Sequence, residues 1–126
     1  GGAGQVTRLE VEADKRGVTA EVRDVGWANS CGRPTHCIAA AVGSTVQVWR
    51  LPSLSGWPIR KLQPVVTLRL PDAPGPRPFW HVSWSATGSA LSASAEDGSV
   101  VVWRLDPSGQ LQLHSTLHPD ARQPLL

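Results

Sequence analysis

Residues 79–105, FWHVSWSATGSALSASAEDGSVVVWRL, constrain this chain more than any other stretch. Trp80, Val82 and Trp84 alternate with His81, Ser83 and Ser85, the two-residue period of a β-strand. Residues 86–89, Ala-Thr-Gly-Ser, read as a turn, and 90–95 as a second strand of small residues. Asp97-Gly98 then supplies the positive φ that a tight hairpin needs, and 100–105 form a third strand closing on Trp103.

Residues 22–51, VRDVGWANSCGRPTHCIAAAVGSTVQVWRL, carry the same order. Val25-Gly26-Trp27 aligns with Val82-Ser83-Trp84, and residues 38–41 align with 91–94. Val46-Gln47-Val48-Trp49-Arg50-Leu51 aligns with Val100-Val101-Val102-Trp103-Arg104-Leu105. The first copy has a longer first turn, 28–37, and lacks the Asp-Gly. A repeat of short strands is the signature of a unit that buries its faces only against neighbouring units. The expected fold is all-β, a partial β-propeller of two four-stranded antiparallel blades plus one strand of a preceding blade.

The expected boundaries follow the pattern. Residues 1–17 hold the outer strand of a preceding blade, at 5–12, and a linker. The first blade spans 18–70, with 65–70 as its fourth strand. Residues 71–78, PDAPGPRP, hold four prolines, which remove ladder donors; a stiff interblade linker is expected there, with a polyproline ligand as the other reading. The second blade spans 79–117, with 110–117 as its fourth strand, and 118–126 is a polar tail. The long connection 52–63 makes Trp57 and Arg60 candidates for partner contact, with a disordered insert whose Trp57 tucks onto the blade as the other reading. There is no Met, the chain begins Gly-Gly, and propellers usually have about 4–8 blades, so a piece of a longer protein is expected.

Composition narrows the function. Net charge is +2 and the twelve Lys and Arg are scattered, unlike a nucleic-acid footprint. No apolar run reaches the roughly 18 residues of a membrane span, and no signal peptide is visible. The two cysteines do not make a disulfide framework, and a reducing compartment is expected. Cys31, His36 and Cys37 lie close together but match no zinc spacing, so no metal is assigned. His114 and His118 sit four apart on a strand and its end, where that spacing has no helical meaning. No phosphate loop, nucleophile elbow or paired carboxylates appear, so no catalytic or cofactor-binding residue is assigned. Asp97 is read as structural, its carboxylate accepting N–H bonds within its own turn. Of six tryptophans, Trp27, Trp49, Trp84 and Trp103 occupy paired positions and are read as packing between sheets. With Asp97 and Gly98 they form the structural repeat set.

These motifs resemble a WD-repeat propeller of the family that includes the nucleoporin Seh-one and the coat protein Sec-thirteen. The carrying residues are Val22-Arg23-Asp24-Val25-Gly26-Trp27-Ala28, Gly32-Arg33-Pro34, residues 38–42 leading to Val46-Gln47-Val48-Trp49, Trp80-His81-Val82-Ser83-Trp84, Thr87-Gly88 and Glu96-Asp97-Gly98-Ser99-Val100. They cover about residues 18–117. Residues 22–25 and 80–84 look like the coat member. Gly32-Arg33-Pro34, the absent first Asp-Gly and the long 51–63 connection look like the nucleoporin, to which the balance leans. The chain departs from the general WD pattern in lacking Gly-His before either inner strand. Arg50 and Arg104 stand where the Asp of Trp-Asp would be, so the usual side-chain network is expected to be incomplete.

The resemblance implies an open six-bladed propeller, of which these would be the last two blades. A helical scaffold protein donates a further blade in trans. The chain would be a non-enzymatic piece of the nuclear pore outer ring at the nuclear envelope. The alternatives are a vesicle coat at the ER and a nutrient-sensing complex at the lysosome or vacuole. No cofactor, nucleic acid or membrane insertion is implied. A separate reading is a peptide-binding adaptor using an Arg-aromatic cluster at one rim, such as Arg23, Arg33 and Trp80. With neighbouring blades absent, Ala39, Ala41, Leu91 and Val101 are expected to meet water, making the isolated chain marginally folded or prone to aggregate.

Overall fold

A computed structural model describes residues 8–13, 16–28, 35–52, 61–69 and 77–118. Ten strands occur among them, and no helix long and apolar enough to cross a membrane. They are β1 (Arg8–Leu9), β2 (Val22–Trp27), β3 (Thr35–Val42), β4 (Thr45–Pro52), β5 (Lys61–Leu62), β6 (Val66–Arg69), β7 (Phe79–Trp84), β8 (Ala90–Ala95), β9 (Val100–Leu105) and β10 (Leu111–Leu117). Sheet I has the order β2-β3-β4-β6 and sheet II the order β7-β8-β9-β10. Both are four-stranded, antiparallel meanders, the two blades that the repeat implies.

Local turn chemistry sets the hairpins. Between β3 and β4, Gly43 has φ +54°, and a Cβ there would lie 2.7 Å from the Ala20 Cβ, so only glycine fits. Gly98 takes φ 88° in the Asp-Gly turn between β8 and β9. Between β9 and β10 the Asp106 carboxylate accepts from Ser108 N–H (2.9 Å), Ser108 Oγ (2.6 Å), Gln110 N–H (2.9 Å) and Gln112 Nε2 (3.1 Å). This is an Asx-type turn that fixes the outer hairpin.

The main core lies between the sheets. Ala39, Ala41, Val46 and Val48 of sheet I meet Phe79, Val82, Leu91, Ala93, Ala95, Val101 and Trp103 of sheet II. This overturns the expectation that Ala39, Ala41, Leu91 and Val101 meet water: each is fully buried. The cause is pleat parity, since the side chains on one face of each strand point at the other blade. Small residues at Ala39, Ala41 and Ala93 let the sheets approach.

Two other expectations change. Plain alternation predicts Trp80 on the same side as Val82 and Trp84. A register shift between Phe79 and His81 instead turns Phe79 inward and leaves Trp80 44% exposed. The connection after β4 is not wholly irregular: Lys61–Leu62 pairs in parallel with Arg8–Leu9. This pair forms a second layer on the far face of sheet I, where Leu9, Val11 and Leu62 pack on Ala40, Val42 and Trp49.

Candidate functional site

The inner strands β2 and β7 lie side by side, and their polar groups join the blades. Asp24 alternates in phase with Gly26 on the face turned to sheet II, just after a register shift between Val22 and Asp24. Its Oδ2 accepts the Val82 N–H of β7 at 3.0 Å and lies 3.6 Å from His81 Nδ1, while Oδ1 accepts the Val25 N–H at 3.0 Å. Two places further on, the Trp84 indole N–H donates to the Gly26 carbonyl at 3.0 Å. A Cβ on Gly26 would sit 3.4 Å from the indole Cδ1, so a small residue is required under the ring. At the outer side the Arg50 guanidinium crosses to the Gly109 carbonyl in the β9–β10 turn. Arg50, which replaces the Asp of Trp-Asp, is therefore a blade-to-blade tie.

Arg23 and Trp80, each beside a register shift, meet across the two sheets. Arg23 and Trp80 occupy aligned repeat positions beside the register shifts, and the Arg23 guanidinium stands 4.7 Å over the Trp80 ring. Arg33, the other member of the expected rim cluster, lies outside the described residues, as do Trp57, Arg60 and Cys31.

Asp97 anchors a small network in sheet II. Its carboxylate accepts the Ser99 N–H (2.9 Å) and Ser99 Oγ–H (3.0 Å) and pairs with Arg77. These contacts hold its pKa below the ordinary value, the Ser99 N–H being the largest cause. Ser99 Oγ also lies 3.4 Å from His118 Nδ1. Asp, Ser and His thus come together, but not as a hydrolytic triad. The serine contacts the carboxylate directly, and it is 0% exposed, so no substrate reaches it. His36 stacks edge-on to Trp27 at 5.5 Å, and Cys37 is a half-buried free thiol. Among the described residues no three His, Cys, Asp or Glu side chains converge on a metal position.

The far face of sheet I is half covered. Gln47 is 2% exposed; its Oε1 accepts the Glu12 N–H at 2.6 Å and its Nε2 donates to Thr45 Oγ1 at 3.2 Å. Thr67 Oγ1 donates to the Glu12 carboxylate at 2.6 Å, and the Trp49 indole donates to the Leu62 carbonyl at 3.2 Å. Residues 9–12 thus form a strap over this face, and an open groove of about 280 Å³ runs beside it, with Arg16, Gln47 and Arg69 in its walls.

Of the repeat tryptophans, Trp49 and Trp103 are buried and Trp84 is half-buried against sheet I. Trp27 does not fill a gap between the sheets: it is 59% exposed, on the face turned away from sheet II. Asp24, Gln47 and Arg50 were not singled out as site residues. The signal for Arg50 was the repeated Trp-Arg, and for Asp24 the Arg-Asp-Val string. For Gln47 it was a lone polar residue in an apolar strand.

No family model matches the chain. Curated proteins do. The protein transport protein SEC13 of Yarrowia lipolytica is 33% identical over 89 residues, which is 71% of this chain and 27% of that protein. The SEC13 homolog of Bos taurus is 37% identical over 90 residues, 71% of this chain and 26% of that protein. The SEC13 of Mycosarcoma maydis is 33% identical over 106 residues, 80% of this chain and 29% of that protein. The chain thus spans little more than a quarter of the relatives it matches. With two repeat-related blades and this similarity over most of its length, the chain belongs to the SEC13 family of WD-repeat proteins.

Proposed function

We propose that this chain is the two-blade part of a non-enzymatic scaffold subunit serving protein transport. The observation that carries the reading is how its polar groups are used. Asp24, Arg50, Asp97 and Gln47 tie strand to strand, blade to blade or strap to sheet. The relatives named as protein transport proteins support the same reading. Within it, the whole protein is a rigid piece of a vesicle coat or of the nuclear pore outer ring, completed by a blade from a helical partner. The nucleoporin lean of the sequence and a role in nutrient signalling are finer proposals of the same kind.

The test follows a tagged full-length protein at native expression. Punctate ER-associated signal supports the coat, nuclear-rim signal the pore, and lysosomal or vacuolar signal the nutrient-sensing complex. Co-purification in fixed ratio with a large helical subunit is expected in each case. A diffuse, monomeric protein overturns the scaffold reading.

A second reading has one observation in its favour. The Arg23–Trp80 pair at the rim, with Trp80 44% exposed, is a preformed aromatic surface for a peptide. Binding of modified tail peptides that is lost in Trp80→Ala distinguishes this adaptor role from architecture.

A further inference from the structure

The arginines of the two blades differ in what holds them. The Arg50 guanidinium donates to the Gly109 carbonyl, and Arg77 pairs with Asp97. Arg23 is held by a ring instead. Its guanidinium stands 4.7 Å over the Trp80 indole, and among the described residues it makes no hydrogen bond and no ion pair. The carboxylate next to it, Asp24, is turned to sheet II and accepts the Val25 and Val82 N–H groups. The pair comes from the repeat: Arg23 and Trp80 hold aligned positions on β2 and β7, which lie side by side. Both side chains are exposed, Trp80 by 44%.

A contact with a ring face fixes where a guanidinium stands and leaves its N–H donors unspent. Five such donors lie in one plane, and two of them match the two oxygens of a carboxylate or a phosphate. Because the ring already holds the group in place, less side-chain freedom is lost when an anion docks. The same arrangement works against a cation. One face of the ring is taken by Arg23, and a second positive charge beside it is repelled. Trp80 is therefore not a cage for a methylated lysine.

We infer that Arg23 and Trp80 form an oxyanion clamp for a peptide that carries an acidic or phosphorylated residue. The acid takes the N–H edge of Arg23, and an apolar neighbour in the peptide lies on the exposed part of the Trp80 ring. This rests on the reading of the pair as a peptide surface and names the chemistry that the surface selects.

The full-length protein tests it, titrated with short fluorescent peptides that differ only at a central residue flanked by leucine. That residue is phosphoserine, glutamate, glutamine or trimethyl-lysine. One or both acidic peptides are expected to bind at least about tenfold more tightly than the glutamine peptide, with an advantage that shrinks as salt is added. The tighter acid tells whether the source is a phosphorylated or an acidic segment. Arg23→Gln should remove the advantage. Arg23→Lys keeps the charge and the ring contact but not the fork, and should weaken acid binding by about 10- to 100-fold. A loss in that variant reports the fork and not a parted pair of blades. Equal binding of the acidic and glutamine peptides overturns the inference. So does full acid binding in Arg23→Lys, or an equal loss in Arg69→Gln on the exposed end of β6, which would mean diffuse charge. A preference for trimethyl-lysine that is lost in Trp80→Leu overturns the anion assignment and keeps the peptide reading. Failure to bind any of the four overturns both.

Discussion

Replacing Trp103 by alanine tests whether burial, rather than repeat position, decides what a tryptophan contributes. Trp103 is 3% exposed, pairs across the strands with Leu91 and Leu113, and meets Phe79 edge-on at 6.4 Å. Truncating a buried Trp costs about 3–5 kcal/mol, the lost transfer energy plus the cavity left behind. The Phe79 contact accounts for about 0.5–1.5 kcal/mol of that. Against a total stability of about 5–15 kcal/mol, this is a large loss. At roughly 3–5 °C per kcal/mol for a chain of this size, Tm falls by about 9–25 °C. Trp27→Ala in the same 126-residue chain removes a largely exposed ring and should stay within about 0.5 kcal/mol. Urea unfolding followed by far-ultraviolet circular dichroism reads both, since it does not depend on the removed fluorophore. Equal losses for the two variants, or a Trp103→Ala loss under about 1 kcal/mol, would refute the reasoning.

Other consequences are as direct. Asp24→Ala leaves the Val82 N–H without its acceptor and should cost about 1–3 kcal/mol, read by the same unfolding curves. Gln47→Ala removes the acceptor of the Glu12 N–H, and hydrogen exchange at the Glu12 amide should speed up while exchange within β8 and β9 stays slow. The Asp106 pKa is lowered from 3.8 to about 2, chiefly by the Ser108 hydroxyl and then the Gln110 N–H. A depressed folded-state pKa gives stability that is present above the ordinary value and lost as pH falls towards about 2. The stability gap between wild type and Asp106→Ala should therefore be constant above about pH 5 and close progressively below it, as a Tm series would show. The isolated chain should self-associate through the Val25–Trp27 face. A Val25→Thr/Trp27→Ser double variant should elute later on size exclusion; unchanged elution would clear that face.

Much of the fold was legible because its signals are local. Strands β8 and β9 run Ala90–Ala95 and Val100–Leu105, the bounds that the Thr-Gly and Asp-Gly turns mark in the sequence. Asp97 accepting from Ser99 was equally local, two residues apart. Trp80 was misplaced because a register shift is a relation between two strands, and an alternating string holds no trace of it. The pairing of Arg8–Leu9 with Lys61–Leu62 joins segments far apart in sequence, so neither segment alone announces it.

The burial errors have a different origin. A repeat fixes the direction of a side chain, because direction follows from strand parity and parity is copied with the sequence. It does not fix burial, because burial also needs something on the other side. Ala39 and Leu91 were expected in water although their faces meet, and Trp27 was expected in a core although its face has no second blade among the described residues. Trp84 and Trp27 show the point within one molecule: the same motif position and orientation, one indole bonded to Gly26, the other 59% exposed. In a repeat protein the exposed copy of a residue that is packed elsewhere is therefore informative in itself. It separates the two requirements of burial, a direction set by the strand and a neighbour set by the rest of the structure.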